Sequence, residues 1–500
     1  MPPEGRRKPM MGKRVFAPKL YYQLSLDQLI PQDHLLRQIA TLIDLSFIYP
    51  LAKPYYSYTG QPSVDPVVIF KILLVGYLYG ITSERRLMNE IQVNLAYRWF
   101  TGYDLDETIP DHSVLTKARS RFGMDVFEKF FTHSIELCSQ AGLLCEGPVF
   151  VDSTLIQSAA SLDSVVRREE TIKPPLPVKE YVRKLYEDNE PPQDAAADSE
   201  EKAVGTLAGG VRNNSPAINS KKSGHIKDPD KSPRKSNVEW VSRTDPEATL
   251  VNNRRMGLKL AYKAHMAVSG KNGRVITAAI ATTGAKADEH VLEEVLQYHQ
   301  KLTGLAVKEV VADARYGTLA NFVSLNQAGM IAYIPPHERH NEPNGIWGKD
   351  RFRYVEEQDY YLCPANKQMK RFTTWYYNKR FAYRCEPGTC EICQFKKQCT
   401  RYGNARTISR FIDQKLVENT KKRLADPVGK ALFKQRKTKI EGVFALAKQL
   451  HGLRRARFIG KLKVQIQIWL TAAVINLRRA LKELTKGLNP ANSSFLFCLN

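Results

Sequence analysis

The sequence predicts an α/β chain: a helical N-terminal part, then a mixed-sheet domain broken by two insertions. Three observations predict it. Apolar residues recur at helical spacing from 20 to about 145, and from 146 the texture changes to short apolar strands. Between two of those strands lies one amphipathic helix, "ADEHVLEEVLQYHQKLTG", which Gly304 stops.

In the N-terminal part, "SVDPVVIF" opens a helix, because Pro66 is tolerated in a first turn and Ser63 or Asp65 can cap it. The run "VVIFKILLVGYLYGI" carries Lys71 and falls short of the ~20 residues a bilayer span needs, so it reads as a buried helix. "TSERRLMNEIQVNLAYRWF" (82–100) reads as a second helix, capped by Thr82 or Ser83, with Leu87, Ile91, Leu95 and Trp99 on one face. "IPDHSVLTKARSRFG" and "DVFEKFFTHSIELCSQAG" follow. Arg85, Arg86, Lys117, Arg119 and Arg121 fall on the polar faces, where each is either a solvated cation or a DNA contact.

Five strands follow: "GPVFVDSTLIQSAA", "LKLAYKAHMAVSG", "GRVITAAIATTG", "VKEVVADARYG" and "MIAYIPP", with a hairpin turn at "SGKNGR". The first insertion, 163–240, is rich in Pro, Ser, Lys and acids. It cannot bury enough apolar surface to offset its ordering entropy. The second, 335–410, is aromatic-rich and holds five of the eight cysteines. Residues 411–485 are helical and basic, and 486–500 is a tail. The domains are thus 1–145, helical and suited to DNA binding, and 146–485, the sheet domain with its insertions.

Lys and Arg number 75 against 51 acids, a formal charge of +24, which points to a polyanionic partner, nucleic acid ahead of a membrane surface. "MPPEGRRKPMMGKRVFAPKL" lacks the apolar stretch of a secretory signal, so a cytoplasmic location is expected. The cysteines then read as reduced thiols or metal ligands. Cys390 and Cys393 have the C-x2-C spacing of a tetrahedral zinc site, with Cys399 and either Cys385 or Cys363 to complete it. A plain cluster of thiols is the competing reading.

Two aspartates stand in matching places. Asp152 follows Val149-Phe150-Val151, and Asp313 follows Val310-Val311-Ala312. Each alone reads as a strand-end cap. Together they suggest convergence on a hard cation, since Mg²⁺ takes carboxylate, water and phosphate oxygens. Glu441 is the candidate third acid. On an α-helix Lys437 and Lys448 share its face, Lys448 about 10 Å along the axis. A salt-bridged helix is the alternative. Arg454, Arg455 and Arg457 just beyond would track phosphates.

"VFVDST", "VVADARYG" and the Glu441–Lys448 spacing, taken in order, resemble the DDE transposases of bacterial insertion sequences, whose catalytic domain is RNase H-like. "YSYTGQPSVDPVVIFKILLVGYLYGITSERRL", "IPDHSVLTKARSRFG" and "EWVSRTDPEATLV" are similar to one large branch of them, and the likeness covers roughly 20–150 and 240–480. The resemblance implies that Asp152, Asp313 and Glu441 hold two Mg²⁺ or Mn²⁺ ions. It also implies endonucleolytic cleavage of the element's ends and strand transfer into target DNA. The enzyme would act as a homodimer or larger assembly on double-stranded DNA at the nucleoid. A catalytically inactive DNA-binding regulator and a host nuclease on the same fold are the alternatives. The family's Tyr–x2–Arg–x3–Glu–x6–Lys pattern would place Tyr at 434 and Arg at 437; here Lys434 and Lys437 stand there, with Arg436 adjacent.

Overall fold

Asp65 starts the first long helix. Its Oδ1 accepts the Val67 N–H at 2.7 Å, and Pro66 fills the first helical position. The computed structural model describes residues 24–56, 63–168, 236–253, 257–270, 274–337, 346–400 and 405–486. Most of the first insertion (169–235), the hairpin turn at 271–273 and the tail beyond 486 lie outside these described residues.

Three short helices, α1 (Leu26–Leu29), α2 (Leu35–Leu42) and α3 (Ile48–Ala52), precede the helix that Asp65 caps, α4 (Pro66–Leu78). α4 is buried from Ile69 to Leu78 apart from Lys71, as its apolar run requires. Among the described residues no helix is long and apolar enough to cross a membrane.

The 82–100 segment is two helices rather than one. Ser83 caps α5 (Glu84–Val93), its Oγ accepting the Arg86 N–H at 3.3 Å. Asn94 then leaves helical geometry (φ −97°, ψ 115°), and its Oδ1 takes the Tyr97 N–H at 3.1 Å to start α6 (Leu95–Thr101). A short amide side chain competing for backbone donors is a good cap and a poor interior residue. The break re-aims the apolar stripe: Leu87 and Ile91 are buried, Leu95 is exposed. α7 (Ser113–Arg121) and α8 (Met124–Gln140) complete the helical part.

The central sheet holds β1 (Val149–Gln157), β4 (Thr249–Asn253), β5 (Gly257–Ser269), β6 (Val275–Thr283), β7 (Glu309–Val311) and β8 (Ile331–Tyr333). Its order is β6–β5–β1–β7–β8, with β4 also paired to the start of β5. β6, β5 and β1 run antiparallel; β1, β7 and β8 run parallel. A separate pair, β2 (Val165–Arg167) with β3 (Trp240–Ser242), joins the chain on either side of the first insertion. Helix α9 (Leu292–Thr303) lies between β6 and β7 and ends at Gly304, whose φ of 69° is the left-handed turn glycine accepts. α10 (Leu319–Gln327), between β7 and β8, was not marked by any strong periodicity.

The second insertion is a five-stranded antiparallel sheet in chain order, β9 (Arg353–Val355), β10 (Tyr360–Leu362), β11 (Gln368–Trp375), β12 (Arg380–Arg384) and β13 (Thr407–Phe411). The short α11 (Lys396–Cys399) sits before β13. α12 (Gln414–Ala425), α13 (Pro427–Arg436), α14 (Gly442–Leu450) and α15 (Lys461–Thr485) follow.

α15 closes the sheet edge at β6. Asn476 accepts the Ile276 N–H and donates to the Ile276 carbonyl, both at 2.9 Å. Gln465 does the same for the Ala281 N–H and the Ala279 carbonyl, at 2.6 and 2.8 Å. These amides satisfy edge groups that would otherwise pair with another chain. α15 also packs on α8, so one hydrophobic core runs from Leu36 in the helical part through Phe150 and Met266 to Leu481. A smaller core, with Val149, Val151 and Val295, fills the opposite face of the sheet.

Candidate active site

Asp152 and Asp313 are placed by sheet register. Phe150 of β1 is paired with Val311 of β7, and each acid lies two residues further along its own parallel segment. Asp152 is still within β1, paired with Met266 of β5, and Asp313 is just past the end of β7, so the two lie at the same level of the sheet. Asp152 is 9% exposed, and burial together with the charge of Asp313 pushes its carboxyl up to about 7, against the pull of Arg436. Asp313 caps the turn that follows β7, its Oδ1 accepting the Arg315 N–H at 2.9 Å.

Glu441 arrives from the far end of the chain. It ends a π-helical turn, Lys437–Glu441, between α13 and α14. In an α-helix, residues 436 and 441 would stand roughly 140° apart around the axis. The wider i→i+5 turn brings them to one side. Arg436 uses this: Nη1 donates to Asp152 Oδ2 at 2.6 Å and Nη2 to Glu441 Oε1 at 2.8 Å. The guanidinium also lies 5.9 Å from the Phe433 ring. Lys437, expected on the face of Glu441, is exposed instead, because the extra residue in the turn rotates it away. Arg274 donates to the Thr438 carbonyl at 3.0 Å, holding a backbone oxygen of the π turn.

The ends of the chain match transposase family models. Residues 24–121 match a transposase domain (DUF772), and residues 362–481, which include Arg436 and Glu441, match a transposase DDE domain. Each end of the chain thus carries a transposase domain, the second of the DDE kind.

Its fold is accordingly RNase H-like, with the helical part in front. Comparison with curated proteins gives no match. Among solved structures, a cryo-EM structure of the piggyBac transposase synaptic complex with hairpin DNA is similar at 9% identity and a TM-score of 0.33, over 92% of this chain and 81% of that one.

DDE transposases generally use divalent metal ions. The donor set of this transposase suits them: three carboxylates of hard oxygen, brought from three elements, with one carboxyl held above its ordinary range by its neighbours. As they stand, no group of three or more His, Cys, Asp or Glu among the described residues is arranged to hold a metal ion. Between Asp152 and Glu441 the positive charge is that of Arg436.

A second polar network lies behind the acids, and no sequence motif announced it. Asp288, 3% exposed, accepts from Ser153 Oγ at 2.9 Å and Lys263 Nζ at 3.0 Å, and pairs with Arg315 at 3.4 Å. Tyr316 OH lies 3.4 Å from His265 Nδ1. Ser153 and Arg315 flank the two aspartates, so the network ties both acid-bearing segments to one buried carboxylate. The signal was the acid pair Asp288-Glu289 in "KADEH", which reads as a helix start.

The basic candidates divide by burial. Arg119 is 7% exposed, pairs with Glu84 (Nη2–Oε2 2.9 Å) and stacks 4.1 Å over Phe458. Arg457 donates to the carbonyls of Ile81 and His451 at 3.2 and 3.3 Å and stacks on Tyr77. Both hold the helical part to the catalytic part. Arg85, Arg86, Lys117, Arg121, Lys437, Arg454 and Arg455 are exposed, and Lys448 is half-buried. Arg86 is paired with Glu90, and Arg455 donates to the Ala159 carbonyl.

The five cysteines of the insertion converge. Cys363, Cys385, Cys390, Cys393 and Cys399 line one small cavity beside the five-stranded sheet, all as free thiols. Burial pushes the Cys399 thiol up to about 11. Zinc is without support here: among the described residues the thiols are not arranged as a metal site, and Cys363, Cys385, Cys390 and Cys399 pack with Phe352 and Tyr361 in a small core.

Proposed function

We propose that this DNA transposase cuts and joins the ends of its own insertion sequence, with Asp152, Asp313 and Glu441 as the catalytic acids. The observation that carries the reading is the meeting of Asp152 from β1 and Glu441 from the π turn on a single guanidinium, with Asp313 near enough for its charge to act on Asp152. Two divalent ions, when bound, supply an acidic water or 3′-hydroxyl for attack and counter-charge for the departing oxygen.

The chain's own part is positioning and charge. β1 is paired on both sides, which makes Asp152 a rigid mount. Asp313 is fixed by the cap on its own turn. Burial first, and then the charge of nearby exposed Arg454, lower the pKa of half-buried Lys448, and the pair would hold the phosphates flanking the scissile bond. No side-chain nucleophile is required. A dimer or larger assembly would hold both element ends at once.

The test is incubation of the purified protein with DNA flanking its own gene and Mg²⁺. Nicking at the repeat ends supports the proposal. Binding without cleavage supports an inactive regulator, and cleavage without end preference supports a nuclease.

A further inference from the structure

The geometry points to Arg436 as a built-in counter-cation: it holds Asp152 and Glu441 while divalent ions are absent, and it competes with those ions for the same oxygens. This rests on the catalytic reading above.

Three observations carry it. The guanidinium makes one hydrogen bond to each of two acids, and its side chain is only 19% exposed. A charged fork bonded to two carboxylates from different elements is a strong, oriented contact. Second, the π turn is what permits it, since five residues of regular α-helix would point Arg436 and Glu441 apart. Third, the charge is incomplete. Among the described residues the Asp313 side chain is bonded only to the Arg315 backbone N–H, and the Arg315 guanidinium is turned to Asp288. Among the described residues, Arg436 is the one side-chain cation bonded to any of the three acids. The site is held together but remains short of cations.

Ions entering the site must therefore take Asp152 and Glu441 oxygens from Arg436. The released guanidinium sits on a helix with exposed Lys434 and Lys437, so a DNA phosphate is the anion next to hand. The exchange would couple ion loading to DNA engagement.

The register supports a specific role for Arg436 over its neighbours. The family's arginine is expected at 437, four residues before the glutamate; the π turn adds one residue, and Arg436, five before, takes the place facing Glu441.

The experiment is Mn²⁺ binding to the DNA-free protein, read by titration calorimetry and by the thermal midpoint with and without Mn²⁺. Arg436→Gln should bind Mn²⁺ about tenfold more tightly than the parent. Its midpoint should be lower without the ion, with the gap closing as Mn²⁺ is added. Arg436→Lys keeps the charge without the fork and should fall between; it serves if the Gln variant does not fold. Unchanged or weaker Mn²⁺ binding in a folded Arg436→Gln or Arg436→Lys protein overturns the inference. Asp152→Asn separates the two claims. If it binds Mn²⁺ as the parent does, the catalytic reading fails and the exchange with it; if it loses Mn²⁺ while the Arg436 variants do not gain, only the exchange fails.

Discussion

Asp152 and Asp313 stand side by side because each lies two residues beyond one register pair, Phe150 with Val311. That relation depends on how the chain leaves β7. Gly317 closes the turn after Asp313, and a Cβ there would lie 2.0 Å from the Pro335 carbonyl oxygen. Gly317→Ala must push the Asp313 turn away from the strand end that follows β8. The expected cost is about 1–3 kcal/mol of stability, as for other overpacked sites. Cleavage should fall more than DNA binding. Thermal melts and a gel-shift series check both, and an unaltered midpoint would show that the turn can give way.

Arg119 and Arg454 are both arginines of the basic helical regions, yet the structure gives them opposite work. Arg119→Ala leaves Glu84 unpaired and Phe458 uncovered, with an expected loss of about 3–5 kcal/mol. The salt dependence of DNA binding should not change. Arg454→Ala should leave the melt within about 0.5 kcal/mol of the parent. Its log–log salt slope should fall by about 1. A reduced slope in Arg119→Ala would contradict the division.

Acid should weaken the fold through its buried histidines. His299 is 1% exposed, its Nδ1 lies 2.7 Å from Thr277 Oγ1, and burial holds its pKa down to about 4 from an ordinary 6.5. The folded state thus keeps His299 neutral where the unfolded chain protonates it. Its contribution is complete above pH 6.5 and is lost as the pH falls from 6.5 towards 4, by up to ~3 kcal/mol. His299→Gln does not titrate, so its stability should fall less than the parent's over that window. Parallel urea melts from pH 7 to 4.5 check this; identical slopes would contradict it.

Much of this fold was legible because its signals are local. Five apolar runs became β1, β5, β6, β7 and β8, and the amphipathic 287–304 segment became α9. The two aspartates were visible as acids that each follow a short apolar run, although Asp152 proves to lie inside β1 and Asp313 past the end of β7. What stayed hidden depends on non-local or rare geometry. The break at Asn94 turns on one side-chain cap that a helical pattern does not reveal. The π turn cannot be seen in "KQRKTKIEG", where counting by α-helical spacing pairs Lys437 with Glu441. Asp288 acquires its role only when Lys263, Ser153 and Arg315 close on it from other elements. Arg119 and Arg457 look like DNA contacts in sequence because burial, not residue type, decides between a clamp and a contact.

As proposed above, Asp152, Asp313 and Glu441 act as one catalytic site. The most direct measurement is end cleavage of the flanking DNA with Mg²⁺ by Asp152→Asn, beside DNA binding by the same protein. Cleavage should fall at least about a thousandfold, in keeping with loss of metal-assisted attack, while binding to the element end persists. Cleavage by Asp152→Asn at the parent rate would show that Asp152 is not a catalytic acid.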